Sequence, residues 1–338
     1  MKKELQIGIV LLIVGILIGT AVGWVAKPAP EGAKIEEPRG AREEPKYEFY
    51  YVSHGGPANP WWGTVRKGID DASALLNVKT NYMGPEKFSL EALTNLMESA
   101  IVAKPDGIIL TITSVEALDP LVRDATNKGI PVIAVNINDN RPKSERMPYI
   151  GYVGQDEYDA GTALAERALE EFTPTRVVIG MHEPGHVGHE RRAKGIMDVM
   201  DEKGIPAEKL DIGLDPVMEV ETFRSYLMGH PDTDLILTLG PEQAYAAVKA
   251  VEEMGKIGKI KTATIDVNDD VMKGILDGSI ICGVSQQPYM QGFIPVVWMY
   301  LHKECGFIPP EKLPTGPAII DRSTLDLIQH QLEVTGGA

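Results

Sequence analysis

The chain has 338 residues, of which 43% are hydrophobic and 24% are charged, and its formal net charge is −15. That length is sufficient for two α/β domains, each with its own hydrophobic core. Lysine and arginine do not cluster after the first few residues. Because binding to phosphate backbones needs a concentration of these side chains, nucleic acid is not an expected partner.

An uncharged segment near the amino terminus, Leu5 to Ala26, predicts a membrane anchor. As a helix rising 1.5 Å per residue it would span roughly 33 Å, about the thickness of the hydrocarbon layer of a bilayer. Lys2 and Lys3 precede it, and the positive-inside rule then places everything after Lys27 outside the cytoplasm. A cleaved signal peptide is the alternative, with the small residues 21–23 as its cleavage site. Both interpretations place the folded part on the extracytoplasmic side.

Residues 27–46 predict a solvated linker between this segment and the folded part. The prolines 28, 30, 38 and 45 lie there among charged and small residues, and Ile35 is the only large aliphatic side chain. Such a composition cannot bury enough apolar surface to become ordered by itself.

The segment Ser53 to Trp62 is the first predicted functional loop. It follows an apolar run of β type, Tyr47 to Val52, and precedes an amphipathic helix from about Thr64 to Leu76. A loop at the carboxyl end of a strand is where open α/β sheets bind ligands. Asn59 offers an amide donor and acceptor, and two adjacent indoles follow that can cover the apolar face of a small polar molecule. This combination favours a sugar or polyol as ligand, although the two indoles could instead pack beneath the loop.

After this loop, strand and helix patterns alternate with a period of roughly 20 to 30 residues, which is typical of a parallel sheet covered on both faces. The predicted strands that follow are 78–82, 108–110, 131–135, 149–153, 177–179, 235–239, 262–265 and 280–284. The predicted helices that follow are 90–103, 117–128, 158–172, 191–202, 241–254, 269–277 and 291–304. Since the alternation begins again at residue 177, two similar α/β lobes are expected.

Six short segments, taken together in this order, resemble the type I periplasmic sugar-binding proteins. They are Asn59-Pro60-Trp61-Trp62, Lys104-Pro105-Asp106-Gly107-Ile108-Ile109, Gly129-Ile130-Pro131-Val132-Ile133, Arg192-Ala193-Lys194-Gly195, Asp266 at the end of a strand, and Gln286-Gln287-Pro288. The resemblance covers residues 47 to about 327. It implies two Rossmann-like lobes with parallel sheets, joined by a three-stranded hinge, with the ligand held between them. The three crossovers are then expected near Gly154, Gln287 and Gly316.

The same resemblance implies a division of the chain and a function. Residues 47–154 and 287–316 would form lobe 1, and residues 155–286 and 317–338 would form lobe 2, after the anchor or signal sequence at 1–26 and the linker at 27–46. The implied function is that of a monomer that captures a sugar or polyol outside the cytoplasm and delivers it to the permease of an ABC importer. Neither a cofactor nor catalysis is implied. A sugar or quorum-signal receptor with a chemosensory or sensor-kinase partner is the alternative.

The ligand contacts of the family, carried over residue by residue, are Asn59, Trp61, Trp62, Asn136, Arg192, Asp266 and Gln286. Arg192 has a fork of donors and Asp266 has two acceptor oxygens, so together they could bracket neighbouring hydroxyl groups or form a salt bridge across a loop. Two positions depart from the ribose-binding type, because Ile137 stands where that type has arginine and Gly240 where it has asparagine. The candidate replacements are His54, Gln155 and the loop 181–190, which includes Glu183.

The segment His182-Glu183-Pro184-Gly185-His186 matches H-E-x-x-H, the zinc-protease string. That chemistry needs the two histidines one turn apart on a helix. Pro184 and Gly185 disfavour a helix interior by about 3 and 1 kcal/mol, and the string directly follows a buried strand, so we expect a loop and no zinc hydrolysis. No metal site is predicted, and a looser role for these His and Glu side chains in metal binding stays open.

The residues present disfavour two further classes of protein, dinucleotide-binding enzymes and bacterial repressors. A dinucleotide-binding enzyme should have G-x-G-x-x-G after its first strand, but residues 53–59 lack that pattern and two tryptophans stand where the phosphate would lie. A bacterial repressor would have a helix-turn-helix at its amino terminus, where this chain has the apolar segment. Cys282 and Cys305 could pair in an oxidising compartment or remain two buried free thiols.

Overall fold

The computed structural model describes residues 44–335, except residues 57 and 184. The predicted anchor at 1–26 and all but the last three residues of the predicted linker lie outside the described residues. Among the helices of the described part, we find none that combines the length and the apolar character needed to cross a bilayer.

Strands and helices alternate along almost the whole described chain. The strands are β1 (Glu48–Val52), β2 (Lys79–Met83), β3 (Gly107–Leu110), β4 (Val132–Val135), β5 (Tyr152–Gly154), β6 (Val177–Met181), β7 (Ala207–Asp211), β8 (Leu235–Thr238), β9 (Lys261–Ile265), β10 (Ile280–Ser285), β11 (Lys312–Pro314) and β12 (Ala318–Ile320). The helices are α1 (Pro60–Leu76), α2 (Leu90–Ala103), α3 (Val115–Asn127), α4 (Glu157–Glu171), α5 (Val187–Lys203), α6 (Pro216–Gly229), α7 (Pro241–Glu253), α8 (Asp269–Asp277), α9 (Pro288–Cys305) and α10 (Leu325–Thr335).

These elements form two lobes, each built on a six-stranded sheet. The first sheet has the order β11-β5-β4-β3-β1-β2 and is parallel throughout. The second has the order β12-β10-β9-β8-β6-β7, in which only β12 is antiparallel to its neighbour. Strands such as β3 and β8 are buried at every residue, as expected for a parallel sheet covered on both faces. The predicted α/β fold with two lobes is confirmed.

Each sheet is covered by helices on its two faces. In the first lobe, α2 and α3 share one apolar cluster with the sheet, and α1 and α9 share the cluster on the opposite face. In the second lobe, α4 and α5 cover one face, and α6, α7 and α8 cover the other. Burial of these clusters is the main stabilising contribution to each lobe.

The described chain passes between the two sheets three times. It leaves the first sheet after β5 and enters α4, which packs on the second sheet. It returns to the first lobe after β10 and enters α9, which packs on α1 and the first sheet. The third passage connects β11 of the first sheet to β12 of the second. A hinge of three segments therefore joins the lobes.

Glycines permit very close contact between the helices that flank this hinge. On α1 and α9, a Cβ at Gly292 would lie 1.9 Å from the backbone oxygen of Val65. On α4 and α5, a Cβ at Gly161 would lie 2.0 Å from the backbone oxygen of Arg192. Since neither oxygen belongs to a flexible side chain, both contacts require glycine.

We expect Gly161→Ala to lower the free energy of unfolding by about 1–3 kcal/mol, because the added methyl group must push two packed backbones apart. Gly63→Ala on α1 is the matched control: a Cβ at Gly63 would meet nothing within 4 Å. The usual gain from replacing glycine inside a helix, roughly 0.5–1 kcal/mol, should then appear. Urea unfolding of both variants measures the difference, and the same effect in both would contradict the close approach of α4 and α5.

Several sequence expectations need correction. Helix α1 begins at Pro60 and not near Thr64, because the side chain of Asn59 caps it and proline suits the first turn. Strand β7 was not predicted, since its sequence at the sheet edge is polar. Helix α6 was missed because the exposed Val217, Met218 and Met228 obscure its buried stripe. Both cysteines are free, but only one of them is buried, and Cys305 is exposed.

Candidate ligand-binding cleft

A cavity of about 260 Å³ lies between the lobes, at the carboxyl ends of the strands of both sheets. The predicted site residues that line it are His54, Asn59, Trp61, Trp62, Asn136, Glu183, Arg192, Asp266 and Gln286. Gln155 is not among the lining residues. Its side chain is buried beside the hinge, where Nε2 lies 3.4 Å from Oε2 of Glu157.

Asn136 and Asp266 occupy matching positions in the two lobes. Each directly follows the fourth strand of its lobe in chain order, β4 or β9, and each adopts a left-handed backbone conformation, with φ of 63° and 65°. Asparagine and aspartate tolerate this region better than other residues that have a Cβ. Both side chains line the cavity.

Asp266 connects the two lobes. Its Oδ1 accepts a hydrogen bond from Nε1 of Trp61 at 3.0 Å, and its Oδ2 accepts one from Nε2 of Gln286 at 2.9 Å. Asn136 of the first lobe in turn donates to Oε1 of Gln286 at 3.1 Å. Burial raises the pKa of Asp266 to about 6, although Arg192 opposes that shift. The carboxylate is therefore poorly solvated and has a strong tendency to accept hydrogen bonds.

Arg192 lies in the first half of α5 and is almost fully buried. Its Nε forms a short ion pair with Oε2 of Glu157, and its Nη1 donates to the backbone oxygen of Leu239 at 2.9 Å. The distance from Nη1 to Oδ2 of Asp266 is 3.9 Å. Of the two interpretations made from the sequence, the ion pair with Asp266 is therefore present. Arg192, Glu157 and Asp266 form a buried triad, in which Glu157 is the nearer partner of Arg192.

Glu157 was missed by the sequence analysis, although it directly follows the first passage through the hinge. It is 4% exposed and lies at the start of α4. Acidic side chains in the first turn of a helix are common because they complement the helix dipole, so its position did not distinguish it. Only the packing of α4 against α5 brings it to Arg192.

The two tryptophans have different surroundings. Trp62 is 5% exposed and belongs to the apolar cluster beneath α1, and a Cβ at Gly55 would lie 1.9 Å from its Nε1. Trp61 is only partly buried and reaches Asp266 across the cleft. The ring centroids are 4.6 Å apart at an angle of 77°. Because the rings are nearly perpendicular, they cannot both cover one flat ligand face.

Asn59 has a structural role in addition to its place in the cavity wall. Its Oδ1 accepts a hydrogen bond from the backbone nitrogen of Trp61 at 2.9 Å, which caps α1. The amide oxygen is therefore engaged, and the amide nitrogen is the group best suited to a ligand. The equivalent cap in the second lobe is His186, whose Nδ1 accepts from the nitrogens of Gly188 and His189 at the start of α5.

Four histidines line one side of the cavity: His54, His182, His186 and His189. The ring centroids of His182 and His189 are 4.3 Å apart, and those of His186 and His189 are 4.4 Å apart. Burial lowers the pKa of His182 and of His186 to about 3, and it lowers the pKa of His54 and His189 well below the usual range. These imidazoles are therefore neutral at physiological pH. Burial also raises the pKa of Glu183 to about 7.

The two departures from the ribose-binding type both lie beside these histidines. A Cβ at Gly240 would lie 2.4 Å from Oε1 of Gln243 and 3.1 Å from Cε1 of His182, so a side chain at this position would displace one or both of these groups. Ile137 is 3% exposed, and its Cδ1 would lie 2.5 Å from a Cβ at Gly188, beside His186. An apolar side chain of the first lobe thus packs against the histidine loop of the second.

A family model described as a periplasmic binding protein domain matches residues 50–304. The chain therefore belongs to the periplasmic binding protein family, whose members are binding proteins with an extracytoplasmic location. Among curated proteins, it is 28% identical over 319 residues to a xylose/arabinose-binding protein of Sulfolobus acidocaldarius, covering 91% of this chain and 78% of that one. It is 23% identical to a ribose import binding protein of Bacillus subtilis, covering 69% and 74%.

Among solved structures, the chain is similar to a carbohydrate transporter from Acidothermus cellulolyticus in complex with myo-inositol. The identity is 30%, the TM-score is 0.79, and the match covers 86% of this chain and 99% of that one. A periplasmic sugar-binding protein of an ABC sugar transporter from Legionella pneumophila has 27% identity and a TM-score of 0.75, covering 80% and 100%.

Proposed function

We propose that this protein captures a monosaccharide or a polyol of similar size in the cleft and delivers it to the permease of an ABC importer. The observation that carries the proposal is a small interlobe cavity to which both lobes contribute polar, buried side chains. The relatives support it, because they are named for xylose, arabinose and ribose, and a similar structure contains myo-inositol.

The size and chemistry of the cavity support a small polyhydroxylated ligand. Ligand pockets usually have about 300–1,000 Å³, and a volume of about 260 Å³ leaves no space for an oligosaccharide. The carboxylate of Asp266 can accept hydrogen bonds from hydroxyl groups, and the amide nitrogen of Asn59 can donate them. Both N–H groups of Asn136 donate to Gln286 and Gln291, so Asn136 offers the ligand its Oδ1 as an acceptor. The indole of Trp61 can cover an apolar C–H face. A pentose, a hexose or an inositol needs these groups together.

The mechanism proposed for capture is closure of the lobes about the hinge. The bonds from Trp61 to Asp266 and from Asn136 to Gln286 both join lobe 1 to lobe 2. In an open form these groups would be solvated, and a bound sugar would replace the solvent and favour closure. The closed form is then the one that the permease recognises. Ligand binding shifts this equilibrium without chemical change, so we propose no catalytic role for the cleft.

The proposal includes several parts that follow from the sequence. The division into lobe 1 (47–154 and 287–316) and lobe 2 (155–286 and 317–338), the monomeric state and the anchor or signal sequence at 1–26 all remain predictions. Of the two partners considered, the permease is favoured over a chemosensory or sensor-kinase protein, because relatives are named as parts of ABC importers.

A ligand panel tests the proposed function. We expect one or more of D-xylose, L-arabinose, D-ribose, D-allose and myo-inositol to raise the melting temperature of the purified protein, since a ligand that binds only the folded state stabilises it by about 2.7 kcal/mol at 100 times Kd. Isothermal titration calorimetry should then give one site per chain. Sucrose and maltose are the size controls. Binding of a disaccharide but of no monosaccharide or polyol would contradict the proposal.

A further inference from the structure

Three side chains of the second lobe form a compact set of potential metal ligands in the cavity wall. His182 and Glu183 follow β6, and His189 lies in the first turn of α5. Their ligand atoms all lie within 4.8 Å of one another, and Nδ1 of His189 is 3.7 Å from Oε2 of Glu183. All three side chains line the cavity proposed for the sugar, but contact with a sugar does not require their ligand atoms to converge on one another.

The histidines of this set have polar atoms that no described residue satisfies. Nδ1 of His182 and Nδ1 of His189 are buried and lack a hydrogen-bond partner among residues 44–335 other than 57 and 184. An unsatisfied buried polar atom costs about 1–3 kcal/mol. Two such atoms on adjacent imidazoles, whose ring centroids are 4.3 Å apart at an angle of 48°, indicate a group that is bound between them.

His186 is chemically different from these two histidines. Its Nδ1 accepts hydrogen bonds from the backbone nitrogens of Gly188 at 3.1 Å and His189 at 3.4 Å. In the neutral ring the proton must then be on Nε2, so this nitrogen can donate but cannot bind a metal ion. The zinc-protease string therefore fails for a second reason, since its last histidine has no free lone pair.

We propose that His182, Glu183 and His189 bind a divalent cation of the Zn²⁺ type at the wall of the cleft, with one coordination position open to the cavity. Two imidazole nitrogens and one carboxylate are a usual ligand set for zinc sites that keep an open position. Calcium and magnesium prefer oxygen ligands only. In a tetrahedral site with bonds of about 2.0–2.1 Å, the ligand atoms would be about 3.3 Å apart, so small side-chain rotations from the present separations are sufficient.

The surrounding charges permit a cation at this position. The positive charge of Arg192 acts on all three side chains of the set, but this guanidinium is paired with the buried carboxylates of Glu157 and Asp266. Glu183 supplies a negative charge when it binds the ion. The open position faces the cavity, where it can hold a water molecule or an oxygen of a cleft ligand. This inference does not depend on sugar binding.

The test is a titration of the full-length, untagged protein with ZnCl₂ after removal of metal by a chelator, in sugar-free buffer. We expect one equivalent to bind with a Kd in the micromolar range or tighter. His189→Ala and His182→Ala should each weaken binding by at least about tenfold, since even the loss of an outer-shell partner costs 10–100-fold. His330→Ala, at an exposed histidine on α10, is the control and should bind zinc as the unchanged protein does.

Glu183→Gln is the second variant, because it keeps the size of the side chain. Unlike the replacement of a histidine by alanine, it leaves no void that could destabilise the fold. It should also weaken zinc binding by at least about tenfold. The visible spectrum of Co²⁺ should show four-coordinate bands in the unchanged protein that the Glu183→Gln and His189→Ala proteins lack. Binding that is equally strong in all variants, or no stoichiometric binding, would overturn the proposal. Sugar binding is measured in a separate titration of the metal-free protein. Failure of the zinc proposal can therefore be distinguished from failure of the sugar-binding proposal.

Discussion

Replacing Arg192 with methionine is expected to lower the free energy of unfolding by about 3–5 kcal/mol, because removal of one partner leaves buried charges without compensation. The guanidinium pairs with Glu157, which is 4% exposed, and lies 3.9 Å from Asp266, which is 5% exposed. Methionine keeps the length of the side chain but cannot neutralise either carboxylate. Urea unfolding at pH 7 measures the loss.

Lys194→Met provides the matched control on the same helix. Lys194 pairs with Asp198 one turn away, but both side chains are well exposed, so its loss should cost at most about 0.5 kcal/mol. The double variant Arg192→Met with Glu157→Gln should recover part of the lost stability, because the unpaired charge is removed as well. If Arg192→Met and Lys194→Met have the same effect, the buried triad does not stabilise the fold.

Replacing Asp266 with asparagine is expected to weaken binding of the cleft ligand by about 2–4 kcal/mol, or roughly 30- to 1,000-fold. The carboxylate is a buried acceptor that lines the cavity, and asparagine offers one oxygen in place of two. Isothermal titration with the best ligand of the panel measures the change. A change of less than threefold would remove Asp266 from the binding site.

Asp139→Asn is the control for a buried aspartate outside the cavity. Asp139 is fully buried, and its Oδ2 accepts hydrogen bonds from Arg141 and the backbone of Met147. Although burial opposes the shift, these bonds lower its pKa, so the charged form stabilises the fold. We expect this variant to lose stability and to keep its ligand affinity, the opposite of the result for Asp266→Asn.

The pH dependence of stability should separate the two aspartates further. Folding raises the pKa of Asp266 from 3.8 to about 6, mainly by burial, with Arg192 and Glu157 as the charged groups that face it. The protonated form therefore stabilises the fold, and this contribution of about 3 kcal/mol is complete below pH 4 or so and is lost as the pH rises through 6. In Asp266→Asn the loss should be absent, so this variant should be at least as stable as the unchanged protein at pH 7.

Much of the fold could be predicted from local patterns. Buried parallel strands are continuous apolar runs, as at 107–110 and 132–135, and the helices between them have apolar stripes. The alternation of strands and helices and the presence of two lobes could therefore be predicted. The edge strand β7 and helix α6 were not, because one is polar and the other exposes apolar residues on its outer face. Strand ends also indicated part of the site, since Asn136 and Asp266 directly follow strands whose carboxyl ends meet at the cleft.

The sequence by itself determined which side chains stand at the ends of strands, because strand and helix periodicity is a local property of the chain. It did not determine their partners. That Glu157 neutralises Arg192, that Trp62 packs below the loop while Trp61 reaches Asp266, and that four histidines share one wall were decided only by the tertiary structure. The physical reason is that these contacts depend on how the hinge segments bring distant helices together, and no local pattern encodes that distance.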